Sequence, residues 1–343
     1  MMSYTVKSSE RHRKSGSDSE TKAMLYLMNF REDSSQMHYF VVDFFNDITG
    51  MDRMARNLWD VQSKASISGT AKTIGRELVT LYKNYVSSMP FVSYVIFLGG
   101  VPETFRVDSS SFSFDSKNIT EKAKKSIRDG LVAECMAKEY INNSDVTDER
   151  IDDFLGKVWY VIDDKKPEEY VRKIIEQHSS IIPSENDLLI IFNEIRNKQS
   201  EKKNSVVECV VIDNADEVLC YGRHLSTNEI RLLVLQRILH TDPLSSGIPS
   251  TFLDTVLKYP PEGVKEMVEN CQKSLCSALF NKSAVQGFWK LFDSVYYLLT
   301  HYPDMSIGWI YSQLDSDIIE QCPDFDALSL KYFIAITKEG ITK

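Results

Sequence analysis

Residues 38–48, HYFVVDFFNDI, are aromatic or β-branched almost throughout, and two aspartates interrupt the run. A segment apolar on both faces suits a central strand covered on both sides, so the chain must build a buried sheet. In a strand, a spacing of four puts Asp43 and Asp47 on the same face, with Phe45 between them. A buried carboxylate is costly unless it is paired or bound to a metal. The plainer alternative is that Asn46-Asp47 opens a turn and Asp47 is solvated.

Thr49-Gly50-Met51-Asp52 reads as a turn, and NLWDVQSKA, 57–65, as a second strand. Alternation places Leu58, Asp60, Gln62 and Lys64 on one face and Trp59, Val61 and Ser63 on the other. Such a polar stripe is either the solvated face of an edge strand or a set of groups converging on a ligand.

The flanking pattern supplies the rest of a mixed sheet. Ser17 reads as the N-cap of a helix, with Glu20 closing a capping box. After the two strands come an amphipathic helix over 71–88 and a strongly apolar strand over 91–100. Gly99-Gly100 ends that strand, and no Gly-Lys-Ser/Thr follows to make a phosphate loop. Helices are predicted at 119–142, 147–155, 166–178 and 184–204, with a strand at 157–163 and strand-like segments across 205–220. The basic run RNKQSEKKN, 196–204, reads as a solvated helix end, with a phosphate-backbone contact as the sharper alternative. Beyond Ser226 the pattern is nearly all helical, broken at 240–250 and 259–263. The expected division is a flexible basic arm over 1–16, an α/β (α+β) domain over 17–240, and an all-helical domain over 241–343 for assembly or partner binding.

Composition removes several classes. The chain of 343 residues is 43% hydrophobic, as a globular protein is. No apolar run reaches the roughly 18 residues a membrane span needs. The polar first twenty residues have no signal-peptide core, so a cytoplasmic protein without membrane contact is expected. Six cysteines without CxxC spacing predict reduced thiols, and six scattered histidines offer no metal-binding pair. A net charge of −9 argues against non-specific nucleic-acid binding by the whole surface, though not against a local basic groove.

Asp47, Gln62 and Lys64 together suit one chemistry. Phosphodiester hydrolysis needs a divalent ion to polarise the phosphoryl group and ready a water. Mg²⁺ takes a few oxygen ligands and keeps several waters. Asp47 can supply a carboxylate, Gln62 an amide oxygen and Val61 a carbonyl, while Lys64 can orient the water or stabilise developing charge.

The pattern Asp47…Gln62-x-Lys64, set in a β-β-α-β order behind a helix carrying Glu20, resembles the PD-(D/E)XK restriction-like nuclease superfamily. It resembles most the Q-x-K branch of Mrr-type enzymes and the Cap4-like double-stranded DNA endonuclease domain of bacterial CBASS and Lamassu anti-phage systems. The likeness covers roughly residues 15–235. It implies a restriction-endonuclease-like mixed sheet flanked by helices. By position, Asp47 matches the metal-binding acid, Gln62 the second ligand and Lys64 the catalytic lysine. Glu20 matches an auxiliary acid, and Asp43 could share or replace the role of Asp47. The sequence departs from the pattern in its shortened glycine-rich lead-in, Ser15-Gly16-Ser17, and in carrying Gln at the second acid. The resemblance implies Mg²⁺ (or Mn²⁺) as cofactor and double-stranded DNA as substrate. Its implied partners are other defence-system subunits, SMC-like ones among them, with a homo-oligomer as the active form. A nuclease-fold scaffold without activity is the alternative that Gln62 keeps open. A third reading is an unrelated helical interaction protein in which 38–66 is an ordinary hairpin.

Overall fold

The computed structural model describes residues 4–6, 14–65, 69–175, 181, 183–245, 247–281 and 285–342. The fold mixes α and β in two compact units, Met1–Tyr170 with Asn193–Thr227, and Val171–Phe192 with Asn228–Lys343. Their extent differs from the division at 240 expected from sequence, because the last strand already ends at Ser226.

The first unit contains β1 (Tyr4–Thr5), α1 (Lys14–Asn29), β2 (Tyr39–Val42), β3 (Ile48–Met51) and β4 (Leu58–Lys64). Then come α2 (Ala71–Glu77), α3 (Val79–Tyr85), β5 (Phe91–Leu98) and β6 (Ser113–Phe114). They are followed by α4 (Glu121–Ala137), α5 (Asp148–Lys157), β7 (Val158–Ile162) and α6 (Pro167–Arg172). Next are α7 (Glu185–Lys202), which belongs to the first unit from Asn193 onward and to the second up to Phe192, β8 (Val211–Ile212) and β9 (His224–Ser226). Seven strands form one mixed sheet in the order β6-β7-β5-β4-β3-β2-β9. β4, β5 and β7 run parallel, and the remaining neighbours pair antiparallel. The central strands are buried nearly end to end, as the apolar runs over 39–42 and 94–98 require.

Helices α2 to α5 cover one face around Ile74, Leu81, Tyr82, Ile127, Leu131 and Phe154. Here α2 and α4 cross at glycines. A Cβ on Gly75 would lie 2.0 Å from the Ile127 carbonyl oxygen, and one on Gly130 2.2 Å from that of Lys72. Only hydrogen allows the two backbones to come so close. The other face is met by α1, whose Ser19 hydroxyl lies 2.6 Å from that of Ser63.

Three local expectations change. The run 38–48 is not one strand, because β2 stops at Val42 and 43–47 is a turn closed by Asp43 N–H donating to the Asp47 carbonyl. Phe44 and Phe45 both enter the core, packing on Tyr221 and on Phe91, which breaks the alternation of a strand. Thr49–Met51 belongs to β3 instead of a turn. Its Gly50 answers to packing, since a Cβ there would lie 3.0 Å from Met37 Sδ and 3.3 Å from Leu27 Cδ1. The real connection is 52–57, where the Asp52 side chain accepts from Arg56 N–H and Asn57 Nδ2. Ser17 is interior to α1, not its cap, and its hydroxyl meets that of Ser200.

The expected arm is ordered in part. Tyr4 and Thr5 pair with Ile212 and Val211, and Val6 exchanges backbone hydrogen bonds with Val210 and Cys209. Residues 1–3 and 7–13 of that arm lie outside the described residues. The predicted helix over 71–88 is broken at Leu78 into α2 and α3.

The second unit is helical. After α8 (Thr227–Ile238) it holds α9 (Leu253–Val256), α10 (Val264–Phe280), α11 (Val285–His301), α12 (Ile307–Gln313), α13 (Ser316–Glu320) and α14 (Ala327–Ile341). α14 starts at an Asp326–Ser329 capping box and buries Tyr332 to Thr337 without a break. Phe288, Phe292 and Phe325 pack their rings against Phe333 of α14, and Trp289 is fully buried, so these aromatics are core. All six cysteines are free. Among the described residues no helix is long and apolar enough to cross a membrane.

Candidate functional site

The alternation predicted for 57–65 holds, and it builds a polar ladder between β4 and the helices on its face. Asn84 Nδ2 donates to Asp60 Oδ2 at 2.6 Å, Thr80 Oγ1 donates to Gln62 Oε1 at 2.6 Å, and Lys64 Nζ lies 3.0 Å from Glu77 Oε2. Two strand residues rise about 6.6 Å, and helical steps of four and three residues about 6 and 4.5 Å, so α3 and the end of α2, running antiparallel to β4, keep close to its rungs. β4 is therefore an interior strand, and the reading of its stripe as a solvated edge is excluded.

The 43–47 turn brings Asp47 to the second rung. Asp47 Oδ2 accepts from Gln62 Nε2 and from Ser63 N–H, each at 2.7 Å. Ser63 lies past the end of the β3 pairing, which stops at Ile48↔Val61, so its amide is open to a side-chain acceptor. Gln62 is thus oriented at both ends, with its NH₂ toward Asp47 and its oxygen toward Thr80. That orientation turns the amide oxygen expected to meet a metal toward a hydroxyl instead.

Asp47, Gln62 and Lys64 line one cavity of about 510 Å³. Its walls add Glu77, Arg76 and Thr73 from α2, Thr80 and Lys83 from α3, and Lys138 just after α4. The cavity so sets four carboxylates, Asp43, Asp47, Glu77 and Glu134, among four cations, Lys64, Arg76, Lys83 and Lys138. Lys138 pairs with Glu134 at 3.0 Å, and that contact raises its pKa.

Behind the cavity, Asp60 is fully buried, and desolvation pushes its carboxyl up to about 7 against the opposing pull of the Asn84 amide and Lys83. A carboxyl this dry is a structural partner of Asn84 and is not among the cavity-lining residues.

Other predicted ligands go elsewhere. Asp43 lines the cavity, but its carboxylate faces the buried Arg223 at 3.2 Å and its backbone has a φ of 50°. Arg223 donates to the carbonyls of Asp43, Lys203 and Ser205 and ties the turn to the segment after α7. Val61 sits between Ile48 of β3 and Val95 of β5 and does not line the cavity. Glu20 is on α1, with Lys203 Nζ at 2.6 Å and Gln199 Nε2 at 3.3 Å, and is also absent from the cavity lining. The basic tail of α7 is thereby partly spent inside the fold, with Lys203 on Glu20 and Arg196 on Asp18.

Sequence reading missed Glu77, Thr80 and Lys83. The signal for Glu77 and Thr80 was positional: with Asn84 they follow the i, i+3, i+7 spacing on one helical face that a strand stripe at 60, 62 and 64 can meet. Among the described residues no group of three or more His, Cys, Asp or Glu is poised to hold a metal. Asp47 and Glu77 both line the cavity, and one or two carboxylates are what a largely hydrated Mg²⁺ takes. Comparison with protein-family models, curated proteins and solved structures gives no match.

Proposed function

We propose that this chain is a Mg²⁺-dependent (or Mn²⁺-dependent) endonuclease for double-stranded DNA. In this reading it is the effector subunit of a bacterial anti-phage or anti-plasmid defence complex, gated by partner proteins or by self-assembly. The observation that carries the reading is the meeting of Asp47, Gln62 and Lys64 on one cavity, with Asp47 fixed by two hydrogen bonds. The element order α1-β2-β3-β4-α2/α3-β5, with β4 and β5 parallel, supports a restriction-endonuclease-like core.

Asp47 would hold the ion, with Glu77 as the second carboxylate, and a bound ion there would polarise the phosphoryl oxygen and acidify water. Gln62 holds the Asp47 carboxylate in place, so that no reorientation is needed when substrate arrives. The Lys64 ammonium, at the outer rung, would stabilise charge developing on the phosphate. Arg76, Lys83 and Lys138 would carry the neighbouring backbone phosphates. A net charge of −9 means that these three cations work against the rest of the surface, which favours assembly before DNA is held.

A second reading has its own observation. The Gln62 oxygen is turned to Thr80, which suits a DNA-binding or assembly scaffold without turnover. Plasmid cleavage in Mg²⁺, comparing wild type with Lys64→Ala, separates the two. The nuclease reading expects metal-dependent cleavage that Lys64→Ala abolishes. Cleavage that survives the substitution or needs no metal ends it, and binding without cleavage favours the scaffold.

A further inference from the structure

The turn that presents Asp47 is gripped from outside the main sheet by a tyrosine. Tyr4, on the two-residue strand β1, is 5% exposed and packs edge-on against Phe45 with ring centroids 5.1 Å apart. Its hydroxyl lies 2.8 Å from Asn84 Oδ1 and 3.3 Å from the Phe45 carbonyl oxygen. A phenol has a single proton, so the shorter contact to Asn84 is the principal bond. Asn84 in turn has two amide hydrogens, which reach Asp60 Oδ2 at 2.6 Å and the Phe45 carbonyl at 3.4 Å.

That accounting gives Tyr4 a definite task. A carboxamide can sit either way round, and its partners decide which. By donating to Oδ1, Tyr4 keeps the Asn84 NH₂ pointed at Phe45 and Asp60. Phe45 is two residues before Asp47, inside the turn that Asp43 N–H closes on the Asp47 carbonyl. Arg223 grips the same turn at Asp43.

We infer that Tyr4 is a positioning residue for Asp47: through Asn84 and the Phe45 carbonyl, its hydroxyl fixes the turn that aims the Asp47 carboxylate at Ser63, Gln62 and the cavity. The functional importance of that aim rests on the reading of Asp47 as the ion-binding acid. The positioning itself has a reporter that needs neither metal nor substrate, the Ser63 amide, which donates to Asp47 Oδ2.

The test is amide hydrogen exchange by NMR in the full chain, wild type against Tyr4→Phe. The substitution keeps the ring, its contact with Phe45 and the Lys83 ammonium 4.9 Å from its centroid. Ile96, buried in β5, serves as the control amide. Loss of one buried hydrogen bond is expected to speed exchange at Ser63 by about tenfold while Ile96 stays near its wild-type rate. Calorimetric Mn²⁺ affinity should fall by a similar factor in the same variant. Equal acceleration at both amides, or no acceleration at Ser63, makes Tyr4 an ordinary core residue and overturns the inference. If wild type binds no Mn²⁺ while Ser63 responds as expected, the positioning role stands and the ion-binding reading of Asp47 falls.

Discussion

Thr80 donates a 2.6 Å hydrogen bond to the Gln62 side-chain oxygen, and that bond decides what Gln62 can offer Asp47. With its oxygen occupied, Gln62 presents NH₂ to the carboxylate. Gln62→Glu replaces that donor with a second carboxylate oxygen, 2.7 Å from Asp47 Oδ2 if nothing moves. Like charges so close repel. The variant should melt several degrees below wild type in EDTA and recover in millimolar Mg²⁺, whereas wild type responds less to the ion. Differential scanning calorimetry with and without Mg²⁺ reads both.

Glu77 is expected to matter for activity far more than for stability. Its contact with Lys64 is partly exposed, at 28% and 39% for the two side chains, and such pairs contribute at most about 1 kcal/mol. Glu77→Gln should therefore leave urea unfolding nearly unchanged. It should cut plasmid cleavage at least tenfold and raise the Mg²⁺ concentration for half-maximal rate. An unchanged metal dependence would remove Glu77 from the ion site.

The glycine crossing of α2 and α4 can be probed with an internal control. Gly75→Ala and Gly130→Ala each drive a methyl into a backbone carbonyl and should cost about 2–4 kcal/mol, because two helices must part. Glu77 and Arg76 ride on α2, so cleavage should fall as well. Gly156, in α5, has nothing within 4 Å of a Cβ, and Gly156→Ala should be neutral or stabilise by up to about 1 kcal/mol. Urea denaturation of the three variants tests the contrast.

Asp60 makes stability depend on pH with a definite sign. Its folded-state pKa is about 7, against 3.8 for the ordinary carboxyl, so between those values the native state holds a proton that the unfolded chain has released. Its contribution is fully present below about pH 4 and is lost progressively as the pH climbs to about 7. Asp60→Asn should flatten that decline, leaving the variant relatively more stable than wild type at pH 8 than at pH 5. Chemical denaturation of both proteins at the two pH values measures it. A wild-type decline that persists in the variant would mean that other groups cause it.

Parts of this architecture were legible in the sequence, for reasons specific to each residue. The facing of Asp60, Gln62 and Lys64 was legible because strand alternation has a fixed period, whatever packs above it. A turn at Asn46-Asp47 was legible only as the alternative to a continuous strand, because Phe44 and Phe45 look like strand residues, although both are pulled inward by aromatic partners distant in sequence. Gly50 misled in the opposite direction, since close packing under Met37 and Leu27 calls for the same residue as a turn does. Glu77 looks like any charged helix residue until α2 is laid beside Lys64. The partners of Arg223 and Glu20, at Asp43 and Lys203, are distant in sequence, and no local pattern points to them.

The β4 ladder also grades the medium in which its groups work. Asp60 is sealed from solvent, Gln62 is 3% exposed, and the Lys64 side chain is 28% exposed. Over about 13 Å of one strand, four residues in length, the surroundings pass from oil-like to wet. Charge is costly at the inner rung, is replaced by a neutral amide at the middle one, and is freely carried at the outer one. Exchanging Asp60 and Lys64 would keep the composition of the stripe and reverse this order, placing an ammonium where no water reaches. What β4 encodes is therefore a sequence of hydration levels as well as a set of residues, and Asp47, held at its middle rung, meets the cavity between the dry end and the wet one.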